Sequence, residues 1–224
     1  MPNTALSELQ TLQNELIRKA LQGSVFTAAE SATLPSTLTT WNATDLQVEL
    51  TPLPSGYTDT GHITKDDGLT WARATDIADV TSWGEITPTR RDITSDVTTL
   101  QFTAQETKLR TLELYNNVDL SAVTPTANTG EVAFSQASRP STRYFRVFAI
   151  NQDGSGTDAI WVGRLLPRAM VSEIADQQWV DGNEMSYQIT LTAEVDSTAG
   201  YSVRHFFGGP KWKTLLTDMG FPAV

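Results

Sequence analysis

The stretch EMSYQITLTAEV, Glu184 to Val195, alternates with a period of two. Tyr187, Ile189, Leu191, Ala193 and Val195 point one way, and Ser186, Gln188, Thr190, Thr192 and Glu194 point the other. That is the side-chain period of a β-strand with one face buried. Turn residues bound it: Asp181-Gly182-Asn183 before, and DSTAGY from Asp196 to Tyr201 after.

Two upstream stretches read the same way. RYFRVFAI (143–150) and TDAIWVGRLL (157–166) are rich in β-branched, aromatic and aliphatic residues, the composition of strands. Between them lies NQDGSGTD, Asn151–Asp158. It has the look of a calcium loop, but Val162 falls where the twelfth-position glutamate belongs. A hairpin turn with left-handed glycines fits better. VTTLQFTA (97–104) puts Leu100, Phe102 and Ala104 on one face and reads as another strand. Thr103 and Glu106 have capping-box spacing, so a helix is predicted to about Asn116, burying Leu109, Leu112 and Tyr115, with Asn116-Asn117 as its cap. TDLQVEL (44–50) alternates briefly and is ended by Pro52 and Pro54.

The ends of the chain read differently. Leu6, Leu9, Leu12, Leu16, Ile17, Ala20 and Leu21 recur at spacings of three and four. They predict an amphipathic helix that stops at Gly23 and docks on its own core or on a neighbouring subunit. At the other end Pro210 is placed to start a helix carrying Trp212, Leu215, Leu216 and Met219, with Gly220 as its stop. The expected organisation is an N-terminal helix or arm over 1–23, a β domain over 24–207 and a helical tail over 208–224.

GHITKDDGLTWAR, Gly61 to Arg73, holds one of two histidines and two adjacent aspartates. Adjacent aspartates on an extended chain point to opposite faces and chelate poorly together. Asp-Gly is turn chemistry, so a structural turn is expected. After it, Trp71 to Arg91 carries few periodic apolar positions and predicts a long excursion from the sheet.

Candidate chemistry is sparse. His62 and His205 are far apart and there are no cysteines, which leaves no zinc-ligand pattern and no disulfide framework. No G-x-S-x-G elbow and no glycine-rich phosphate loop occurs. No catalytic residue, cofactor or metal is expected. There is no signal-like N-terminus and no apolar run of membrane-spanning length, so no membrane partner is expected. Sixteen Lys and Arg stand against 26 Asp and Glu, a formal charge of −10. Such a chain lacks the cations that grip phosphate.

The stretch TDTGHITKDDGLTWARATDIADVTSWGE resembles the pattern T-D-x-G-[apolar]-[ST]-x-D-G-[apolar]-T, an acidic D-I segment and a tryptophan, of the major tail proteins (tail-tube proteins) of siphophages infecting actinobacteria. One extra aspartate stands in the turn. RRDITSDVTTLQFTAQETKLRTLELYNN is similar to that family's strand-then-helix element, and 143–195 to its closing hairpin and last long strand. The resemblance covers roughly Leu46 to Phe207.

The resemblance implies a mainly β fold. Two packed sheets form a sandwich or partly open barrel, with one flanking α-helix and short terminal helices. It implies hexameric rings that stack into a non-contractile tail tube. The implied partners are further copies of the chain, the tape-measure protein, the tail-terminator and tail-tip proteins, and double-stranded DNA in transit without specific binding. It implies no catalysis, and a place in the virion tail after assembly in the host cytoplasm. On that reading Trp71, Arg73, Asp76, Asp79 and Trp83 are candidates for ring stacking. Glu173, Asp176, Asp158 and Glu194 are candidates for an acidic lumen wall. The polar face of 186–194 suits a wetted lumen, a subunit contact or plain solvent. Two other readings fit parts of the chain: another tail protein of related fold, such as a terminator or tail-tip ring, and a carbohydrate-binding sandwich using some of the six tryptophans.

Overall fold

The computed structural model describes residues 5–223. A short helix α1 (Leu6–Leu9) and a 3-10 turn (Asn14–Leu16) precede β1 (Gln22–Ala29), β2 (Thr39–Asn42), β3 (Gln47–Leu50) and β4 (Thr58–Asp59). The long strands β5 (Leu69–Val80) and β6 (Arg90–Ala104) lead into helix α2 (Leu109–Asn116). Then come β7 (Phe145–Asp153), β8 (Ile160–Ile174), β9 (Tyr187–Glu194), β10 (Arg204–Gly208) and helix α3 (Pro210–Thr214). The chain is mainly β, as the alternating stretches predict. Eight strands form one antiparallel sheet in the order β4-β1-β7-β8-β9-β6-β5, with β10 joined to β8, and β2 and β3 form a second small sheet.

β9 follows its alternation. Tyr187, Ile189, Leu191 and Ala193 are buried and the residues between them are half-buried. Directly opposite residues share a face, so Leu191 lies between Leu100 of β6 and Val171 of β8. This inner face closes around Val25, Phe102, Phe145, Val147 and Leu166, with Leu114 of α2 in the same cluster. One segment draws β1 and β6 together. Thr58 and Asp59 pair with β1, and the Thr60 N–H donates to the Val25 carbonyl at 3.0 Å. Three residues on, Ile63 bridges Ala104, and the Thr64 N–H donates to the Thr103 carbonyl at 3.0 Å. No ladder joins β1 directly to β6 among the described residues, so the barrel stays open.

The opposite face is covered over only half its width. Phe148 and Leu165 face one another on β7 and β8 and pack with Trp161 against Leu38 and Val48, from the region of the small sheet. β8 changes partners near Pro167: Trp161–Leu165 pairs with β10 and Arg168–Ile174 with β9. Proline has no N–H to donate, and the register with β7 slips there, between Phe145 and Val147.

Several expectations need correction. Only Leu6–Leu9 and Asn14–Leu16 are helical near the N-terminus, and residues 1–4 lie outside the described residues. Gly23, read as a helix stop, sits inside β1, where a Cβ would lie 3.0 Å from the Ile150 carbonyl oxygen. Leu6, Leu9, Leu12, Ile17 and Leu21 are 60–80% exposed. A helix of that length is marginal in water without a docking face, and these five side chains are not covered among the described residues. The Thr103–Glu106 capping box is not formed. Thr103 donates to Asp67 at 2.9 Å, and Glu106 accepts from the His62 N–H at 2.8 Å and pairs with Lys108 at 2.8 Å. α2 begins after Lys108 without a side-chain cap, and Leu109, predicted buried, is exposed while Leu114 is buried. Its C-terminus is capped as expected by Asn117, with φ +51°.

The predicted irregular excursion from Trp71 to Arg91 is mostly strand. β5 and β6 pair from Leu69 opposite Phe102 out to Val80 opposite Arg90. β6 touches β9 only over Thr99–Ala104. The outer part is therefore a two-stranded arm that leaves the sheet, and only residues 81–89 are irregular. β10 is an element that sequence reasoning missed. α3 does start at Pro210, with Trp212 stacked 5.3 Å from Phe207 and Leu215 buried.

Candidate assembly surfaces

The arm carries four of the five stacking candidates, and polar pairs zip it together. The Arg73 Nε donates to Asp96 at 2.7 Å, which holds the Asp96 carboxyl below the usual carboxylate range. Ser95 donates to the Asp76 carboxylate at 2.8 Å, and Arg91 pairs with Asp79 at 3.1 Å. Exposed to solvent, each pair adds little to stability on its own. Trp83 and Ile86, at the tip, have no cover at all. Trp71 stands apart from these, half-buried at the base of the arm, with the Arg164 guanidinium 4.7 Å from its ring centroid.

The outer face of the sheet around β6 and β9 is polar. Thr99, Gln101 and Thr103 of β6 lie opposite Thr192, Thr190 and Gln188 of β9. Gln101 donates to Thr190 at 3.4 Å and Gln188 to Thr103 at 3.3 Å. Across β9, Glu194 and Thr190 lie opposite Arg168 and Glu173 of β8. Two of the acidic candidates, Glu173 and Glu194, are thus brought to this face. Arg168 is held by Glu30 at 3.3 Å and Glu194 at 3.7 Å. The other two lie elsewhere. Asp158 sits in the turn before β8, 3.7 Å from Lys211. Asp176 lies past the far end of β8, beside Tyr115, whose hydroxyl donates to the Ala175 carbonyl at 2.8 Å. Burial first, then the Asp176 charge, pushes the Tyr115 hydroxyl pKa up.

The KDDG segment is a turn, as its residues predict, and Gly68 takes φ +54°. The Asp67 carboxylate accepts from Thr64 at 2.8 Å and from Thr103 at 2.9 Å, so it ties the turn to the outer face. The turn between β7 and β8 likewise places Gly154 and Gly156 at positive φ. No group of three His, Cys, Asp or Glu able to hold a metal occurs among the described residues. No helix among them is long and apolar enough to cross a membrane.

A cleft of about 910 Å³ opens at the base of the arm, beneath the curl of the sheet. Leu69, Trp71, Ala149 and Val162 give it apolar walls, and Lys19, Lys65 and Arg164 reach it. Burial lowers the Arg164 pKa. Sequence reasoning missed this cleft because its lining comes from five separate segments.

No curated protein matches the chain. The family described as phage tail tube protein matches residues 10–201. That span contains both halves of the large sheet, the flanking helix α2, the arm and the polar outer face, and stops just short of β10. The chain therefore belongs to the phage tail tube protein family, structural components of the virion tail that assemble with one another into a tube.

Proposed function

We propose that six copies form a ring and that rings stack into the non-contractile tube of a siphophage tail, a conduit for double-stranded DNA at ejection. On this reading the tape-measure protein occupies the bore during assembly in the host cytoplasm. Tail-terminator and tail-tip proteins close the two ends. The sequence pattern points to an actinobacterial host. No catalytic step is assigned to the chain.

The observation that supports this best is the outer face of β6, β9 and the second half of β8. Threonine and glutamine dominate it, Met170 joins them, its one arginine is held by two glutamates, and apart from Thr103 its residues stay partly exposed among the described residues. DNA is retained by cations that displace its counterions. A wall of hydroxyls and amides with Glu173 and Glu194 offers no such hold. Asp158 and Asp176 stand off this face, so the bore reading rests on Glu173 and Glu194. Arg73, Asp76, Asp79 and Trp83 lie on the arm that would reach the next ring, with Trp71 at its root.

Negative-stain microscopy of the purified protein with tail-tip complex tests the proposal. Tubes of uniform width are expected. Monomers at high concentration despite the tip complex would contradict it, and a single ring per virion would instead assign the terminator or tail-tip role.

A further inference from the structure

Resting on that assembly reading, we propose that the arm tip of one copy, Trp83 to Ile86, inserts into the cleft at the base of the arm of a second copy. The two surfaces are complementary in kind. The tip presents Trp83, Glu85 and Ile86; both apolar side chains are fully exposed, and Glu85 has no ion-pair partner among the described residues. The cleft presents apolar walls and three cations, Lys19, Lys65 and Arg164, that likewise have no ion-pair partner among the described residues. The two acids that reach it, Asp59 and Glu106, both engage Lys108 instead, at 3.6 and 2.8 Å. The cleft is therefore a cationic spot on a chain of formal charge −10. Its 910 Å³ has room for an indole and an isoleucine side chain.

Reach decides that the occupant comes from another copy. Val80 is nine strand residues beyond Trp71, and a strand rises about 3.3 Å per residue, so the tip stands roughly 30 Å from its own cleft. Tip into base is a head-to-tail contact, and such contacts propagate instead of closing on a pair. Aromatic and aliphatic anchors buried in a pocket, with one charge pair, are the parts from which specific interfaces are made.

The chain has no cysteine, so Lys65→Cys with Ile86→Cys gives a clean pair for a short bis-maleimide. Tubes of the double variant are expected to give a ladder of covalent multimers, dispersed monomers are expected to give none, and neither single variant is expected to give a ladder. Lys65→Glu and Glu85→Lys, both at exposed positions, are each expected to raise the critical concentration for tube growth about tenfold, and together to return it to within about threefold. Tubes that yield only monomer bands, or a charge swap with no rescue, overturn the tip-in-cleft contact while leaving the ring-stacking proposal standing. Wild-type protein that forms no tubes at all sinks both.

Discussion

Glu113 is 3% exposed on α2, and its carboxylate accepts from Arg110 at 2.7 Å and from the Leu120 N–H at 3.0 Å, with Arg143 at 3.9 Å. It ties the helix to the long segment that follows it. Removing one partner of a buried ion pair costs about 3–5 kcal/mol because the other charge is stranded. Here Arg110 and Arg143 keep some solvent, so Glu113→Ala is expected to cost about 3 kcal/mol. For a chain of this size that is a fall in Tm of roughly 6–12 °C by calorimetry. His205 makes a pH prediction. Burial, then the charges of Arg164 and Arg73, depress its pKa, so the fold favours neutral imidazole. Its contribution is whole above the unfolded pKa of about 6.5. It is lost as pH falls from there through the folded value, because the unfolded chain takes up a proton that the fold resists. His205→Gln should flatten that part of the Tm–pH curve. His62→Gln with His205→Gln should leave tail assembly intact at pH 7–8, whereas folded protein without tails would reveal a histidine role.

At the scale of elements, the arm should be separable from the body. Joining Arg73 to Thr98, which are paired, through an Asn-Gly turn removes the outer hairpin without cutting the core. The shortened protein should keep its far-UV circular dichroism per strand residue and a cooperative melt, and should not form tubes; normal tubes would remove the stacking role. The arm also shows why part of the fold was hidden in the sequence. β9 was legible because one face is buried, so burial imposed alternation from Tyr187 to Ala193. β5 beyond Trp71 is exposed on both faces, so burial imposed no period, and a strand looked like a loop. The N-terminal leucines failed the other way. Their helical spacing is real, but among the described residues nothing buries Leu6, Leu9, Leu12, Ile17 or Leu21. Thr103 and Glu106 had the spacing of a capping box, yet Asp67, His62 and Lys108, remote in sequence or outside the motif, took both side chains. Of the lumen candidates, the alternation of β9 puts Glu194 on the polar face, and the pairing of β8 with β9 brings Glu173 beside it. Spacing along the chain could not show that Asp158 and Asp176 lie off opposite ends of β8.

At the scale of the whole molecule, the large sheet divides into two halves. Its half around β1, β7 and the start of β8 packs the small sheet against one face and opens the cleft on the other. Its half around β5, β6, β9 and the end of β8 packs one face into the core and presents threonine, glutamine, Met170, Arg168 and two glutamates on the other. Any substitution on a bore wall recurs six times per ring in a hexameric tube. Glu173→Lys with Glu194→Lys should leave tails assembled but make DNA ejection slower and salt-sensitive, since salt screens the new attraction. Asp176→Lys should leave ejection unchanged. A helical reconstruction of isolated tails decides which face lines the bore. Sixfold rings are expected, with Thr99, Gln101, Thr190 and Thr192 lining the bore and α2 outside it. A different ring order, or a bore lined by the small sheet of β2 and β3, would contradict it.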